Sequence, residues 1–227
     1  MTNILTIPVD IARLDAAHAA GILKQGNWGD GTHAVCMMSA LVPSARNTEA
    51  CVTAGWPAWL VDLNISIFDR AETPKAAWEF ARSVAETCAH SVDFDAARDK
   101  FLIAVLAEGE HSASARLRKV QCDETWWKNS NKAVDTVAAL LTRRLGGEDV
   151  DDLLAEAAWE AEEAARAAGA WAAAAAEEDA AWVGSWVAEA AAFAAEADAQ
   201  AATAATTEWA AYRTHLINAL INSRVEV

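Results

Sequence analysis

Between Ala155 and Ala211 the chain places 30 alanines in 57 positions, with Trp159, Trp171, Trp182, Trp186 and Trp209 set among Glu and Asp. Alanine has the highest helix propensity of any residue, so this tract is expected to be helical. Alanine side chains bury little area, so the indoles are expected to supply most of the tract's contact surface. A straight helix from Val150 to Ala201 would run about 78 Å at ~1.5 Å per residue. A compact domain of this size has a radius of gyration of only about 17 Å. The tract must therefore project or fold back. Gly169 and the run Val183-Gly184-Ser185 are the places to fold, and a hairpin would bury the indoles within one chain.

The rest of the chain also reads as helical. Proline and glycine are sparse, at 4 and 10 of 227 residues, and β-branched runs are scarce. Helical spacing or capping signals mark Pro8 to Leu23, His33 to Val42 and Thr48 to Gly55. A further helix enters at Pro57, and Thr73-Pro74 opens another that runs to Cys88. Asp93 caps a helix carrying Phe94, Ala97, Phe101, Leu102 and Val105, and a shorter piece spans Ser114 to Val120. Asp123 to Leu145 is stopped by Gly146-Gly147. The expected fold is all-α: a multi-helix globular domain over residues 1–147, then an acidic Ala/Trp-rich helical hairpin over 148–227.

Charge separates the same two regions. The formal net charge is −15, of which residues 148–227 carry −13 and residues 1–147 only −2. Such a field repels nucleic acid and anionic membranes, so neither is an expected partner. The longest uncharged run of the tract, Ala167 to Ala176, is too short to span a bilayer. No apolar leader-like run precedes Asp10, and Cys36, Cys51, Cys88 and Cys122 form no CxxC pair. A cytoplasmic protein with reduced thiols is expected.

No familiar catalytic or cofactor motif is present. The five histidines form no HxxxH or HExxH pair, and neither a Walker A loop nor GxGxxG occurs, so no metal or cofactor is expected. Two constellations can still carry chemistry. His33 and Cys36 stand at i and i+3 behind a glycine-rich loop. A helix N-terminus and a neighbouring imidazole would together activate a thiol, with Asp30 or Asp62 as orienter. That is the outline of a cysteine hydrolase; the plainer reading is a small buried Cys among Val35, Met37, Met38 and Leu41.

The second constellation is cationic and aromatic: Arg116, Arg118, Lys119, Trp126, Trp127, Lys128, Lys132, Arg143 and Arg144. Guanidinium groups meet phosphate and indoles stack on bases, so the cluster suits a nucleotide-like ligand. The plainer reading pairs these cations with the acidic tract. Trp28, Trp56 and Trp59 around Arg46 form a further aromatic group, for which core anchoring is the plainer reading.

The stretches Cys36-Met37-Met38-Ser39-Ala40-Leu41-Val42-Pro43 and Cys51-Val52-Thr53-Ala54-Gly55-Trp56-Pro57-Ala58-Trp59-Leu60 resemble a group of helical proteins with alanine-rich tails from tailed-phage and prophage genomes. Arg143-Arg144-Leu145-Gly146-Gly147-Glu148-Asp149-Val150, leading into the tail, carries the same resemblance. The group has no established activity, so no functional residue follows from it. The resemblance implies a phage accessory protein acting in the host cytoplasm. Three readings follow: a non-enzymatic, counter-defence protein that sequesters a nucleotide-like small molecule, a homo-oligomer assembled through the C-terminal helices, and a cysteine hydrolase using Cys36 and His33.

Overall fold

Local capping chemistry sets the helix boundaries. In the computed structural model, which describes residues 4–26, 28–29, 33–43, 45–110, 112–120, 123, 125–175 and 209–225, the chain is all-α. Asp10 caps α1 (Ile11–Ala19) by accepting from the Arg13 N–H. Cys36 caps α2 (Met37–Leu41), Asn47 caps α3 (Thr48–Thr53), and Pro57 precedes α4 (Ala58–Asp69). Thr73 caps α5 (Pro74–Cys88), whose first residue is the proline that needs no N–H partner. Asp93 accepts from the Ala96 N–H at the start of α6 (Phe94–Ala107). Ser112 does the same for Ala115 at α7 (Ala113–Val120). α8 (Thr125–Leu145), α9 (Asp151–Ala175) and α10 (Trp209–Ile221) follow. The extended structure is a two-residue pair, β1 (Ile4–Leu5) antiparallel to β2 (Val92–Asp93).

The chain divides into two compact units, Met1–Ala97 with Trp209–Val227, and Arg98–Glu208. In the first, α1, α2, α4 and α5 enclose a core in which Leu14, Met37, Met38, Leu60, Leu63, Ile67 and Phe68 are almost wholly buried. Trp56 is 1% exposed, and its indole donates to the Pro8 carbonyl at 3.3 Å. The indole therefore anchors the entry to α4, as its place before Pro57 suggests. α10 closes this unit by laying Tyr212, Leu216, Ala219 and Leu220 against α5 and α4. The segment after α10 pairs with β2: the Asp93 N–H donates to Ser223 and the Val225 N–H to Ser91.

In the second unit α8 and α9 form a helical hairpin. Gly147 turns at φ +89°, and the N–H groups of Gly146, Gly147 and Glu148 close onto the last carbonyls of α8. The glycine pair at 146–147 thus joins two packed helices of one unit, whereas the sequence reading placed a domain boundary there. Residues 209–225 belong to the first unit, not to a C-terminal extension. A tight turn is a local signal; which helices it brings together is decided by packing along both.

Over the described part of α9 the contact surface is alanine, not indole. Its buried face is Val150, Leu154, Ala157, Ala158, Ala161, Ala164 and Ala165, while Trp159 is 64% exposed. Methyl side chains let two helix backbones approach closely, so alanine packs by proximity rather than by bulk. α9 runs unbroken through Gly169, so the chain does not fold back at that proposed point. The other proposed fold point, Val183-Gly184-Ser185, lies outside the described residues together with Trp182, Trp186 and the side chain of Trp171, and with them the expected hairpin within the tract.

Candidate functional site

The first unit contains a cavity of about 320 Å³ beside the end of α1, lined by His18, Gly21, Leu23, Lys24, Gln25, Phe68, Pro74 and Ala77. α1 stops at Gly21, which turns at φ +68°. The chain then runs out and back: the Lys24 N–H donates to the Val35 carbonyl at 2.9 Å, and the Val35 N–H to Ile22 at 2.9 Å. Gly29 lies so close to this return that a Cβ there would sit 2.0 Å from the Ala34 carbonyl oxygen. Gln25 fixes the loop to α4. Its amide nitrogen donates to the carbonyls of Phe68 at 2.8 Å and Ala71 at 3.0 Å, at and just past the C-terminus of α4, where carbonyls lack intrahelical i+4 partners. Nearby, the Gly26 N–H points at the Asp69 carboxylate, whose pKa burial nevertheless pushes up.

One wall of the site is braced from α1 and α5. The His18 imidazole stacks on Trp78 at 4.5 Å with planes 8° apart. Trp78 donates its indole N–H to Asp15 Oδ1 at 3.0 Å, and Arg82 holds Asp15 Oδ2 at 3.0 Å while lying 5.7 Å from the Trp78 ring. Glu86 and then Asp15 push the Arg82 guanidinium above its ordinary pKa. Arg82 is thereby committed to two carboxylates. Lys24, on the cavity wall, has no carboxylate partner among the described residues. Neither ring nitrogen of His18 has a hydrogen-bond partner there. A largely apolar recess lined by a lysine, a stacked histidine and a glutamine matches the usual make-up of a small-molecule site.

The His33–Cys36 arrangement takes a different form. The sequence puts both on one helix from His33 to Val42, but that helix begins only at Met37. Residues up to Cys36 are drawn into the extended return, where Val35 bridges Leu23 and Gly29. His33 is exposed and Cys36 is buried, 3% exposed. The Cys36 sulfur is engaged by Ser39, whose N–H donates to it at 3.4 Å. Burial pushes the Cys36 thiol up, the reverse of what nucleophile activation requires.

The cations of α8 find partners within their own unit. Arg144 binds Asp99 through two hydrogen bonds and reaches Asp151 at 3.2 Å. Arg143 pairs with Glu148 at 2.8 Å, Lys132 with Glu160 at 3.3 Å, and Lys128 with Asp123 at 3.5 Å. Trp127 donates to the Leu117 carbonyl at 2.7 Å, and Trp126 is buried, 5% exposed. Arg118 is exposed, while the side chains of Arg116 and Lys119 lie outside the described residues. Trp126 and Arg143 are also 17 positions apart on one helix, roughly 26 Å, so the two ends of the cluster do not form one site. In the third aromatic group, Arg46 is taken up by the Pro43 and Ala45 carbonyls.

Sequence reasoning missed His18, Lys24, Gln25, Trp78 and Arg82. Asp15/His18 and Trp78/Arg82 do stand at i,i+3 and i,i+4 spacing, but nothing local links two helices some sixty residues apart. Among the described residues no group of His, Cys, Asp and Glu could hold a metal ion, and no helix is long and apolar enough to cross a membrane. No family model, curated protein or solved structure matches this chain.

Proposed function

We propose that the protein is a non-enzymatic binding protein for a small, planar, anionic molecule of nucleotide-like chemistry, held in the cavity between α1, the 21–26 loop, α4 and α5. The observation that carries this reading is the cavity's lining: Lys24 and His18, neither with a carboxylate partner among the described residues, stand with Leu23, Phe68 and Ala77 around one largely apolar recess. The ammonium suits a phosphate or carboxylate, and the apolar floor suits a ring. The volume lies at the lower end of the roughly 300–1,000 Å³ typical of ligand pockets, which favours a mononucleotide over a dinucleotide. The α8 cations are better read as scaffold, because they are paired with carboxylates. The resemblance to tailed-phage proteins adds a role, sequestering a signal of host defence. No activated nucleophile supports the hydrolase reading at Cys36.

Calorimetric titration with nucleoside monophosphates, their cyclic forms and the free bases tests this. Saturable binding is expected, weakened at least tenfold by Lys24→Ala and by His18→Ala and unchanged by Arg143→Ala, tenfold being about 1.4 kcal/mol. Absence of saturable binding, or equal binding by the Lys24 and His18 variants, overturns it.

A further inference from the structure

Trp159 occupies an unusual place on α9. The buried residues Leu154, Ala157, Ala158, Ala161, Ala164 and Ala165 define the face turned to α8. At about 100° per residue, Trp159 falls some 160° from the centre of that face, at the middle of the opposite side. It is 64% exposed, the most exposed large apolar side chain among the described residues. Asp152 and Arg166 lie about 20° from the line of Trp159, Glu163 about 40° and Glu156 about 60°, all exposed. Glu163 is held with Arg166, but Asp152 and Glu156 have no cationic partner among the described residues. The helix therefore presents one large aromatic anchor with two carboxylates beside it, Asp152 and Glu156, that no described cation neutralises.

We infer that this face of α9 is an interaction surface for a cationic, amphipathic helical segment of another protein. Such a segment would cover Trp159 with its apolar stripe and set Lys or Arg side chains against Asp152 and Glu156. The occupant follows from charge. A central aromatic residue that becomes fully desolvated is the usual energetic anchor of an interface, and the flanking charges set partner sign and encounter rate. A second copy would bring the same carboxylates, in a chain of net charge −15, onto this face. Nucleic acid and anionic membrane are repelled for the same reason. The surface belongs to the second unit and is independent of the cavity reading.

The test uses the full chain and two synthetic peptides of equal length and charge. One is a helix-forming Lys/Leu peptide with a continuous leucine stripe; the other is its Lys/Ser counterpart. The Lys/Leu peptide is expected to bind saturably, more tightly than the Lys/Ser peptide, and more weakly as salt is raised. Trp159→Ala should weaken it roughly tenfold, the scale of a lost aromatic anchor, whereas Trp159→Phe and an unchanged melting temperature should show the fold intact. The joint variant Asp152→Asn/Glu156→Gln should flatten the salt dependence. Equal affinity for both peptides, or for the native and Trp159→Ala proteins, overturns the proposal by reducing it to diffuse attraction. No binding at low salt overturns it, whether the face then meets solvent or residues 176–208. Trp159-dependent self-association of the protein alone overturns it in favour of a second copy.

Discussion

Arg144 and Asp99, 45 positions apart, are joined by two parallel hydrogen bonds, Nε to Oδ2 at 2.8 Å and a terminal nitrogen to Oδ1 at 2.6 Å. Asp99 is 3% exposed, so α8 supplies the charge that lets a carboxylate of α6 be buried. Arg98 lies 3.7 Å away, too long for a hydrogen bond. The hydrogen bond from Arg144 to Asp99 is the main cause that raises the pKa of the guanidinium. Replacing Arg144 by leucine strands the carboxylate and should cost about 3–5 kcal/mol by urea denaturation. Arg144→Lys should recover only part of this, because an ammonium cannot reproduce the fork. The double variant Asp99→Leu/Arg144→Met should lie closer to the native protein than either single one. A loss below about 1 kcal/mol for Arg144→Leu would show the pair to be energetically idle.

The pair also shows where sequence reasoning stops. Thr73-Pro74, Asp93 and Gly146-Gly147 act within a few residues, and each was legible as a cap or a stop. Arg143 and Arg144 read as ligand groups because Asp99 is invisible from their neighbourhood. His33 and Cys36 read as helical neighbours because the pairing of Val35 with Leu23 and Gly29 is not local. The cavity combines a helix end, a loop and two further helices, so its polar groups converge only after folding. Trp159 lies away from the alanine face of α9, a placement that depends on which side of the helix α8 covers.

The buried thiols make stability fall in alkali. Burial raises Cys51 and Cys88 from 9.0 to about 12, and Cys36 in the same direction. Below pH 9 each thiol is protonated in both folded and unfolded chains and contributes no slope. Between about pH 9 and 12 the unfolded chain releases the proton and the folded chain holds it, so stability falls as pH rises. Each thiol should add a slope of up to about 1.4 kcal/mol per pH unit. Urea midpoints from pH 8 to 10.5 should drop, and the drop should be shallower in Cys88→Ala. At pH 7.5 the native protein should react with iodoacetamide at Cys36 far more slowly than the unfolded chain does. Preferential native labelling of Cys36 would revive the hydrolase reading.

Gly29 should tolerate no side chain. Its φ is +78°, and a Cβ would meet the Ala34 carbonyl oxygen at 2.0 Å, backbone that cannot swing aside. Gly29→Ala combines a left-handed strain of about 1–2 kcal/mol with that clash, so the loss should exceed 2 kcal/mol. Gly26 also has positive φ, at +80°, but nothing lies within 4 Å of its Cβ position. Gly26→Ala should therefore cost the strain alone. Thermal denaturation of the two variants separates the effects, and equal losses would show that the close approach at Ala34 carries no weight.

Asn64 should be worse for stability than a hydrocarbon in its place. It is 0% exposed on α4, between Leu60, Leu63, Ile67 and Phe68, and neither its amide oxygen nor its nitrogen has a hydrogen-bond partner among the described residues. Burying an unpaired amide costs about 1–3 kcal/mol, and leucine has a similar shape without that cost. Asn64→Leu is expected to raise the unfolding free energy measured by urea denaturation by about 1–3 kcal/mol. Asn64→Ala, which removes the amide but opens a void, should gain less or lose slightly. The comparison is informative in both directions. A gain for leucine identifies a position where polarity is kept against stability. A loss above 1 kcal/mol in both variants would mean that the amide is satisfied in the native protein and that α4 depends on the bonds it makes.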